Sequence, residues 1–190
     1  RAGARVSLAG VAGDDRWGRW LLERLAAEQV DTSHFRLGEG LHTQLAFVSV
    51  DERGEPTYEL YGELVEPLVD ALQNRIDEAV EGAAGLFITS NTLAGPGERA
   101  LTMRARERAL NRTPPAPVVF DCNLRLHRWS SRADAAASAN ACVPRAMLVR
   151  ANREEAELLT GEADPERAAL ALRKAGAELA VITLGAGGAI

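Results

Sequence analysis

Short apolar segments alternate with amphipathic segments in the second half of the chain, and this alternation most strongly limits the possible folds. Four apolar runs predict strands, at residues 85–89, 118–121, 147–150 and 179–183. Helical spacing and caps predict the helices between them, at residues 98–110, 132–141, 153–159 and 164–176. Strands that alternate with helices favour a parallel sheet that helices cover on both faces, with right-handed crossovers. We therefore predict an α/β fold with a mostly parallel sheet.

The first half of the chain combines a strand, a helix and a hairpin. Val6 to Ala9 form an apolar run that predicts the first strand, and Asp15 is suited to cap the next helix. Residues 43–61 contain two strand-like segments on either side of a polar turn, which predicts an antiparallel hairpin. We interpret residues 43–61 as a small lid set into the α/β pattern. A further helix is predicted from Pro67.

The composition excludes several classes of function. The chain has 190 residues, 46% of them hydrophobic and 26% charged, which is typical of a globular domain with a sizeable core. The net charge of -5 and the scattered basic residues argue against a nucleic-acid partner. No apolar run approaches the ~20 residues of a membrane span, so no membrane contact is expected. Cys122 and Cys142 are expected to be reduced thiols in a cytoplasmic protein.

Polar or glycine-rich residues follow all four strands predicted in the second half. They occupy residues 90–92, 121–125, 152–155 and 183–188. The carboxyl ends of parallel strands meet at one edge of a sheet, where open α/β proteins bind their ligands. The sequence therefore predicts a binding site at this edge.

Each of these motifs also has a purely structural explanation. Asp121 and Asn123 could end a core strand and cap a helix, and Arg125 could be a solvated side chain. Alternatively, the planar guanidinium of Arg125 suits a carboxylate, a phosphate or vicinal hydroxyls. Asn152 and Glu155 could form a capping box, or Glu155 could coordinate Mg²⁺ through water, and both can hold together.

The segment from Thr183 to Gly188 could be a plain glycine-rich loop or a nucleotide-binding loop, since glycines allow backbone N–H groups to approach phosphates. It is not a Walker A loop, and Ile190 occupies the third glycine position of the dinucleotide fingerprint. Asp15 would repel phosphate, but its carboxylate could accept hydrogen bonds from neutral hydroxyls. Tyr58 is either a substrate contact on the hairpin or an ordinary strand aromatic.

Four motifs, in this order, resemble those of the PfkB, or ribokinase-like, carbohydrate kinases. Residues 10–18 resemble the family's Gly-x-Val-Gly-x-Asp-x-x-Gly, with alanine at the usual valine. Residues 120–129 are similar to the Asp-x-Asn-x-Arg…Trp segment of the fructokinase and 2-keto-3-deoxygluconate kinase branches. Residues 152–155 resemble Asn-x-x-Glu, and residues 181–188 resemble the nucleotide-binding strand and loop.

The resemblance implies a ribokinase-like three-layer α/β/α sandwich that transfers a phosphoryl group from MgATP to a sugar or sugar-acid hydroxyl. It places the sugar near Arg125, Asn123 and Asp121, with further contacts at Asp15 and Tyr58. ATP would contact Asn152 and the loop formed by Thr183, Leu184, Gly185, Ala186, Gly187 and Gly188. Glu155 would support Mg²⁺, and a homodimer through the lid is expected.

The resemblance also implies that the chain is part of a larger fold. The family's N-terminal strands and its Gly-Ala-Gly-Asp segment, which carries the catalytic aspartate, have no counterpart among residues 1–190. No catalytic residue is therefore assigned, the base is expected downstream of Ile190, and residues 1–190 alone are expected to be inactive. Two alternatives are a non-catalytic sugar- or nucleotide-binding regulator on the same fold and, with less support, a nicotinamide dehydrogenase.

Overall fold

The computed structural model describes residues 3–52, 56–61, 69–73 and 75–190, and the chain divides into two compact units. The first unit is Arg1–Ala79 and the second is Val80–Ile190. The tip of the predicted hairpin, residues 53–55, and the predicted helix start at Pro67 lie outside the described residues.

The first unit contains two strand pairs. Strand β1 (Gly10–Gly13) is parallel to β2 (Phe35–Gly38), and helix α1 (Arg16–Ala27) connects them. Strand β3 (Leu45–Val50) is antiparallel to β4 (Pro56–Tyr61), which confirms the predicted hairpin strands. The helix predicted from Pro67 has Leu68, Leu72, Ile76 and Val80 on one face. Leu68 lies outside the described residues, the other three side chains are buried, and helix α2 spans Ile76–Gly82.

The predicted first strand at Val6 to Ala9 is wrong, because the strand lies at Gly10–Gly13. Ser7 makes only an isolated bridge to Asp31, whereas Gly10 pairs with Phe35. The pairing therefore shifts by one residue between the two places, and the ladder is interrupted at Leu8 and Ala9. Glycine at position 10 lets the Phe35 ring approach within 3.1 Å of where a Cβ would lie.

The second unit is a regular strand–helix alternation around a parallel sheet of order β5-β6-β7-β8. Every strand and helix predicted in this region is present, with bounds that differ by at most two residues. The elements are β5 (Leu86–Thr89), α3 (Pro96–Asn111), β6 (Val118–Asp121), α4 (Arg132–Asn140), β7 (Leu148–Asn152), α5 (Arg153–Thr160), α6 (Pro165–Lys174) and β8 (Leu179–Thr183).

Local signals account for the ends of these helices. Asn152 caps α5, and Asp164 caps α6 by accepting a hydrogen bond from the Arg167 N–H. Gly161 ends α5 with a φ of 77°, a left-handed conformation that glycine adopts without steric cost. These caps fix where each connecting helix begins and ends, and hence where the next strand starts.

One face of the four-stranded sheet forms the core of the second unit. Ile88, Phe120 and Val149 lie side by side in register, and all three are buried. In the neighbouring row, on the opposite face, Phe87 is 62% exposed and Leu179 is 57% exposed. Right-handed crossovers that advance in one direction place every connecting helix on the same face. The helices of this unit therefore supply one helical layer of the predicted sandwich.

Within the part of the chain that the structure describes, no helix combines the length and the apolar character that crossing a bilayer requires.

Candidate active site at the carboxyl edge of the sheet

The register of the second unit brings the predicted site residues to one edge. Asp121 of β6 is paired with Arg150 of β7, and Asn152 at the end of β7 is paired with Thr183 of β8. The loops that follow these strands therefore open at the same carboxyl edge, as the sequence predicted.

Asp121 forms an ion pair that the sequence analysis missed. Nη1 of Arg150 lies 3.1 Å from Oδ1 of Asp121, and Nη2 of Arg150 donates to Oγ1 of Thr183 at 3.2 Å. The side chains of Arg150 and Asp121 are 39% and 22% exposed, so the pair lies at the rim of the edge. An arginine inside the apolar run Val149–Ala151 is the signal that could have identified it, because buried strands seldom carry unpaired charge.

The loop after β6 contains a residue with a positive φ angle. Asn123 has a φ of 35°, close to the left-handed region that asparagine tolerates better than most residues. The backbone N–H of Leu124 donates to Oε1 of Glu155 at 2.7 Å. Arg125 is exposed, and its guanidinium donates to the Leu124 carbonyl at 3.3 Å. The charged head of Arg125 thus lies on the surface of this edge.

Glu155 connects this loop to the end of β7. Its side chain is buried, with Oε2 accepting from the Asn152 N–H at 2.8 Å while Oε1 binds Leu124. In return, Oδ1 of Asn152 accepts from the Glu155 N–H at 2.9 Å, which completes a capping box. The structural interpretation of this motif is therefore confirmed, and it leaves the predicted role with Mg²⁺ open.

The glycine-rich loop after β8 is a tight reversal. Gly185–Gly187 form one 3-10 turn, the Leu184 N–H donates to the Gly188 carbonyl at 2.8 Å, and Thr183 bridges Ala189 in antiparallel fashion. Gly185 and Gly188 have φ angles of 59° and 88°, which residues other than glycine rarely adopt. Residues 185–188 are all exposed, so their backbone is open to a ligand.

Three buried side chains lie near this edge, Ser90, Cys122 and Trp129. Ser90 follows β5 and is fully buried, and its hydroxyl has no hydrogen-bond partner among the described residues. Trp129 is buried and packs beneath the guanidinium of Arg99, as expected for a packing residue. Cys122 is a free, buried thiol whose pKa is raised well above its usual range by burial and then by the charge of Glu155. Its position therefore disfavours the thiolate, which is the nucleophilic form of cysteine.

The glycine–aspartate motif of the first unit, residues 10–18, has a structural role of its own. Oδ1 of Asp15 accepts from the Gly18 N–H at 2.9 Å, and Oδ2 accepts from the Thr43 N–H at 2.7 Å. A Cβ on Gly13 would overlap the backbone of Leu41 and His42, and one on Gly18 would overlap the Gly13 carbonyl. Glycines are required here because the backbones meet. The Asp15 carboxylate thus holds α1 against the start of the hairpin, and its predicted sugar contact stays a prediction.

Two further features bear on the predicted binding residues. Tyr58 lies in β4, but its side chain is outside the described residues. Among the described residues, no group of three or more His, Cys, Asp and Glu side chains could hold a metal ion.

We expect Asp15→Asn to lower the melting temperature at neutral pH, because an amide has one acceptor oxygen and its nitrogen would face either the Thr43 or the Gly18 N–H. Hydrogen bonds from Thr43 and then Gly18 hold the pKa of Asp15 well below its usual range. The stabilisation is therefore complete above the unfolded pKa, about 3.9, and is lost as the pH falls toward the folded value. Melting curves of both proteins should converge as the pH falls below about 4.

Asp14→Asn is the matched control. Asp14 is a neighbouring carboxylate in an exposed ion pair with Arg19, and such pairs contribute little. A gap between wild type and Asp15→Asn that stays constant between pH 7 and the acid range would contradict the assigned role.

We expect Glu155→Gln to reduce the free energy of unfolding by about 1–3 kcal/mol, because an amide nitrogen would face one of the two buried N–H donors. Urea denaturation measures this difference. Glu154→Gln changes an exposed carboxylate one residue away and should be close to neutral. Equal midpoints for the two variants would show that Glu155 does not secure these loops.

Comparison with known proteins gives one family over the whole chain. The model of the pfkB family carbohydrate kinases matches residues 1–190. A fructokinase from Salmonella typhimurium is 29% identical over 166 residues, which cover 86% of this chain and 52% of that protein. A fructokinase from Klebsiella pneumoniae is 30% identical over the same length and coverage. The chain thus spans about half the length of these curated relatives.

Solved structures give the same result. A PfkB protein from Polaromonas sp. JS666 superposes with a TM-score of 0.85 at 28% identity, over 98% of this chain and 63% of that one. A fructokinase from Vibrio cholerae O395 with fructose, ADP and calcium bound gives a TM-score of 0.77 at 28% identity, over 98% of this chain and 59% of that one. The ribokinase-like α/β class predicted from the sequence is thereby confirmed. The chain belongs to the pfkB family of carbohydrate kinases.

Proposed function

We propose that the complete protein transfers the γ-phosphoryl group of MgATP to a hydroxyl of a sugar or sugar acid, of the fructose or 2-keto-3-deoxygluconate type. The observation that carries this proposal is the carboxyl edge of the second unit. The exposed guanidinium of Arg125, in the loop after β6, and the Asp121 carboxylate at the end of β6 share this edge with the exposed glycine turn that follows β8. A polar acceptor and a polyphosphate could both be bound there.

The relatives support a sugar as acceptor. Those from Salmonella typhimurium and Klebsiella pneumoniae are described as fructokinases, and the Vibrio cholerae structure holds fructose and ADP. These properties belong to those proteins, and we extend them to this chain on the strength of the shared family and of the edge geometry.

On the acceptor side, we assign the sugar contacts to Asp121, Asn123 and Arg125, with further contacts from Asp15 and Tyr58. Arg125 is the side chain most able to select a substrate, because its exposed, planar head can bind a carboxylate with two hydrogen bonds. Asp121 is already hydrogen-bonded to Arg150, so we assign it the role of positioning the sugar.

On the nucleotide side, we assign ATP to Asn152 and to residues 183–188, whose positive-φ glycines keep the turn open to phosphate. The Glu155 carboxylate fits an indirect role with Mg²⁺. Each of its oxygens accepts one internal hydrogen bond and retains a second lone pair, which a metal-bound water can use. When bound, Mg²⁺ would neutralise charge on the phosphates of ATP.

The general base for the acceptor hydroxyl is not among the acids of this edge. Asp121 is ion-paired with Arg150, and Glu155 is buried with both oxygens hydrogen-bonded to backbone. We therefore assign no general base among residues 1–190.

We also propose that the hairpin, β3 with β4, mediates a homodimer. Phe47, Val48, Val50 and Tyr61 are between 52% and 63% exposed, and a two-stranded hairpin alone is marginally stable in water. Phe47→Ser combined with Val50→Ser should convert a dimer of the complete protein into a monomer in sedimentation velocity. A wild-type protein that sediments as a monomer would refute this proposal.

The kinase proposal is tested by incubating the complete protein with MgATP and a panel of hexoses, pentoses and keto-deoxy sugar acids. We expect ADP release with fructose or a 2-keto-3-deoxy acid. The absence of release above background with every acceptor would refute the proposal, and binding without turnover would support a regulator.

Arg125→Ala distinguishes the two substrate types. If Arg125 binds a carboxylate, its loss should raise KM for a sugar acid on the order of tenfold or more, with a much smaller rise for neutral fructose. Arg132→Ala changes another exposed arginine in the same unit and should leave both values unchanged. An equal rise for both substrates would contradict the carboxylate contact.

A further inference from the structure

Arg150 forms hydrogen bonds to side chains in both predicted halves of the site. Its guanidinium donates from Nη1 to Oδ1 of Asp121 and from Nη2 to Oγ1 of Thr183. Asp121 ends β6 and Thr183 ends β8, while Arg150 lies on β7 between them. The two contacts therefore link three neighbouring strands at their carboxyl ends.

Arg150 orients each of its two partners through the hydrogen bond that it donates. The Thr183 hydroxyl donates to the Ala151 carbonyl at 3.4 Å and accepts from Arg150, so both groups orient it. The Asp121 carboxylate is held at one oxygen and keeps the other for a ligand. A guanidinium can hold both groups at once because its N–H donors form a rigid fork, which an ammonium group lacks.

We propose that Arg150 is a positioning residue that sets the Asp121 carboxylate for the sugar and the Thr183 hydroxyl for the nucleotide. This inference rests on the proposed kinase function and adds a determinant that couples the two substrates. Replacing Arg150 should therefore weaken the binding of both substrates, although the residues predicted to bind them lie on different strands.

The test compares Arg150→Met, Arg150→Lys and Arg145→Met in the complete protein. Arg145 is the matched control, because its guanidinium also makes two contacts, to Asn111 and Leu110, but lies before β7 at the opposite end of that strand. We measure kcat, KM for the sugar, KM for ATP and the melting temperature of each variant. Arg150→Met should raise both KM values on the order of tenfold.

Arg150→Lys should separate the two contacts. An ammonium group can retain the ion pair with Asp121 but cannot also reach Thr183, so KM for the sugar should return toward wild type while KM for ATP stays raised. The double variant Thr183→Val, Arg150→Met should raise KM for ATP by less than the product of the two single effects. Both substitutions remove the same contact, the hydrogen bond between Arg150 and Thr183. Arg145→Met should lower only the melting temperature.

The outcomes separate this inference from the function on which it rests. If the wild-type protein phosphorylates no sugar, the kinase proposal fails and the inference fails with it. If the wild type is active but Arg150→Met changes only the melting temperature, as Arg145→Met does, the inference alone is wrong. Should Arg150→Met fail to fold, Arg150→Lys decides, and unchanged KM values for both substrates would overturn the inference.

Discussion

The buried carboxylate of Glu155 is the interaction on which the candidate site depends. It accepts the Leu124 N–H from the loop after β6 and the Asn152 N–H at the end of β7. One side chain thereby satisfies two backbone donors, of which one is buried and the other part-buried, and an apolar residue at position 155 would leave both without this acceptor. The loop that carries Arg125 and the start of α5 are therefore fixed relative to each other.

The charge of Asp121 is already paired before any ligand binds. Asp121 carries the negative charge next to the predicted acceptor, and Arg150 neutralises it from the adjacent strand. Phosphates could approach such an edge more easily than one with an unpaired carboxylate, because like charges repel strongly in a partly desolvated site. The same arginine orients the Thr183 hydroxyl, so charge balance and geometry come from one residue.

The glycine–aspartate motif of the first unit illustrates how a family signature can have a packing cause. Gly13 and Gly18 are needed because backbone approaches backbone, and Asp15 uses both oxygens to hold Gly18 and Thr43. This packing role does not exclude the predicted sugar contact, because Oδ2 of Asp15 accepts from the Thr43 N–H and a carboxylate oxygen can accept two hydrogen bonds. Strand β3 of the hairpin begins two residues after Thr43, so Asp15 also fixes the segment that leads into the hairpin.

The sequence alone determined the order and type of the elements in the second unit, because apolar periodicity, caps such as Asp164 and the glycine at position 161 are local signals. It also determined which loops meet at one edge, since a parallel sheet allows only that arrangement. The sequence did not place the first strand correctly, because a one-residue change of pairing between Ser7 and Gly10 depends on the partner strand. Only the tertiary structure identified Arg150, because its importance comes from side chains 29 and 33 residues away that the strand register brings within hydrogen-bond distance.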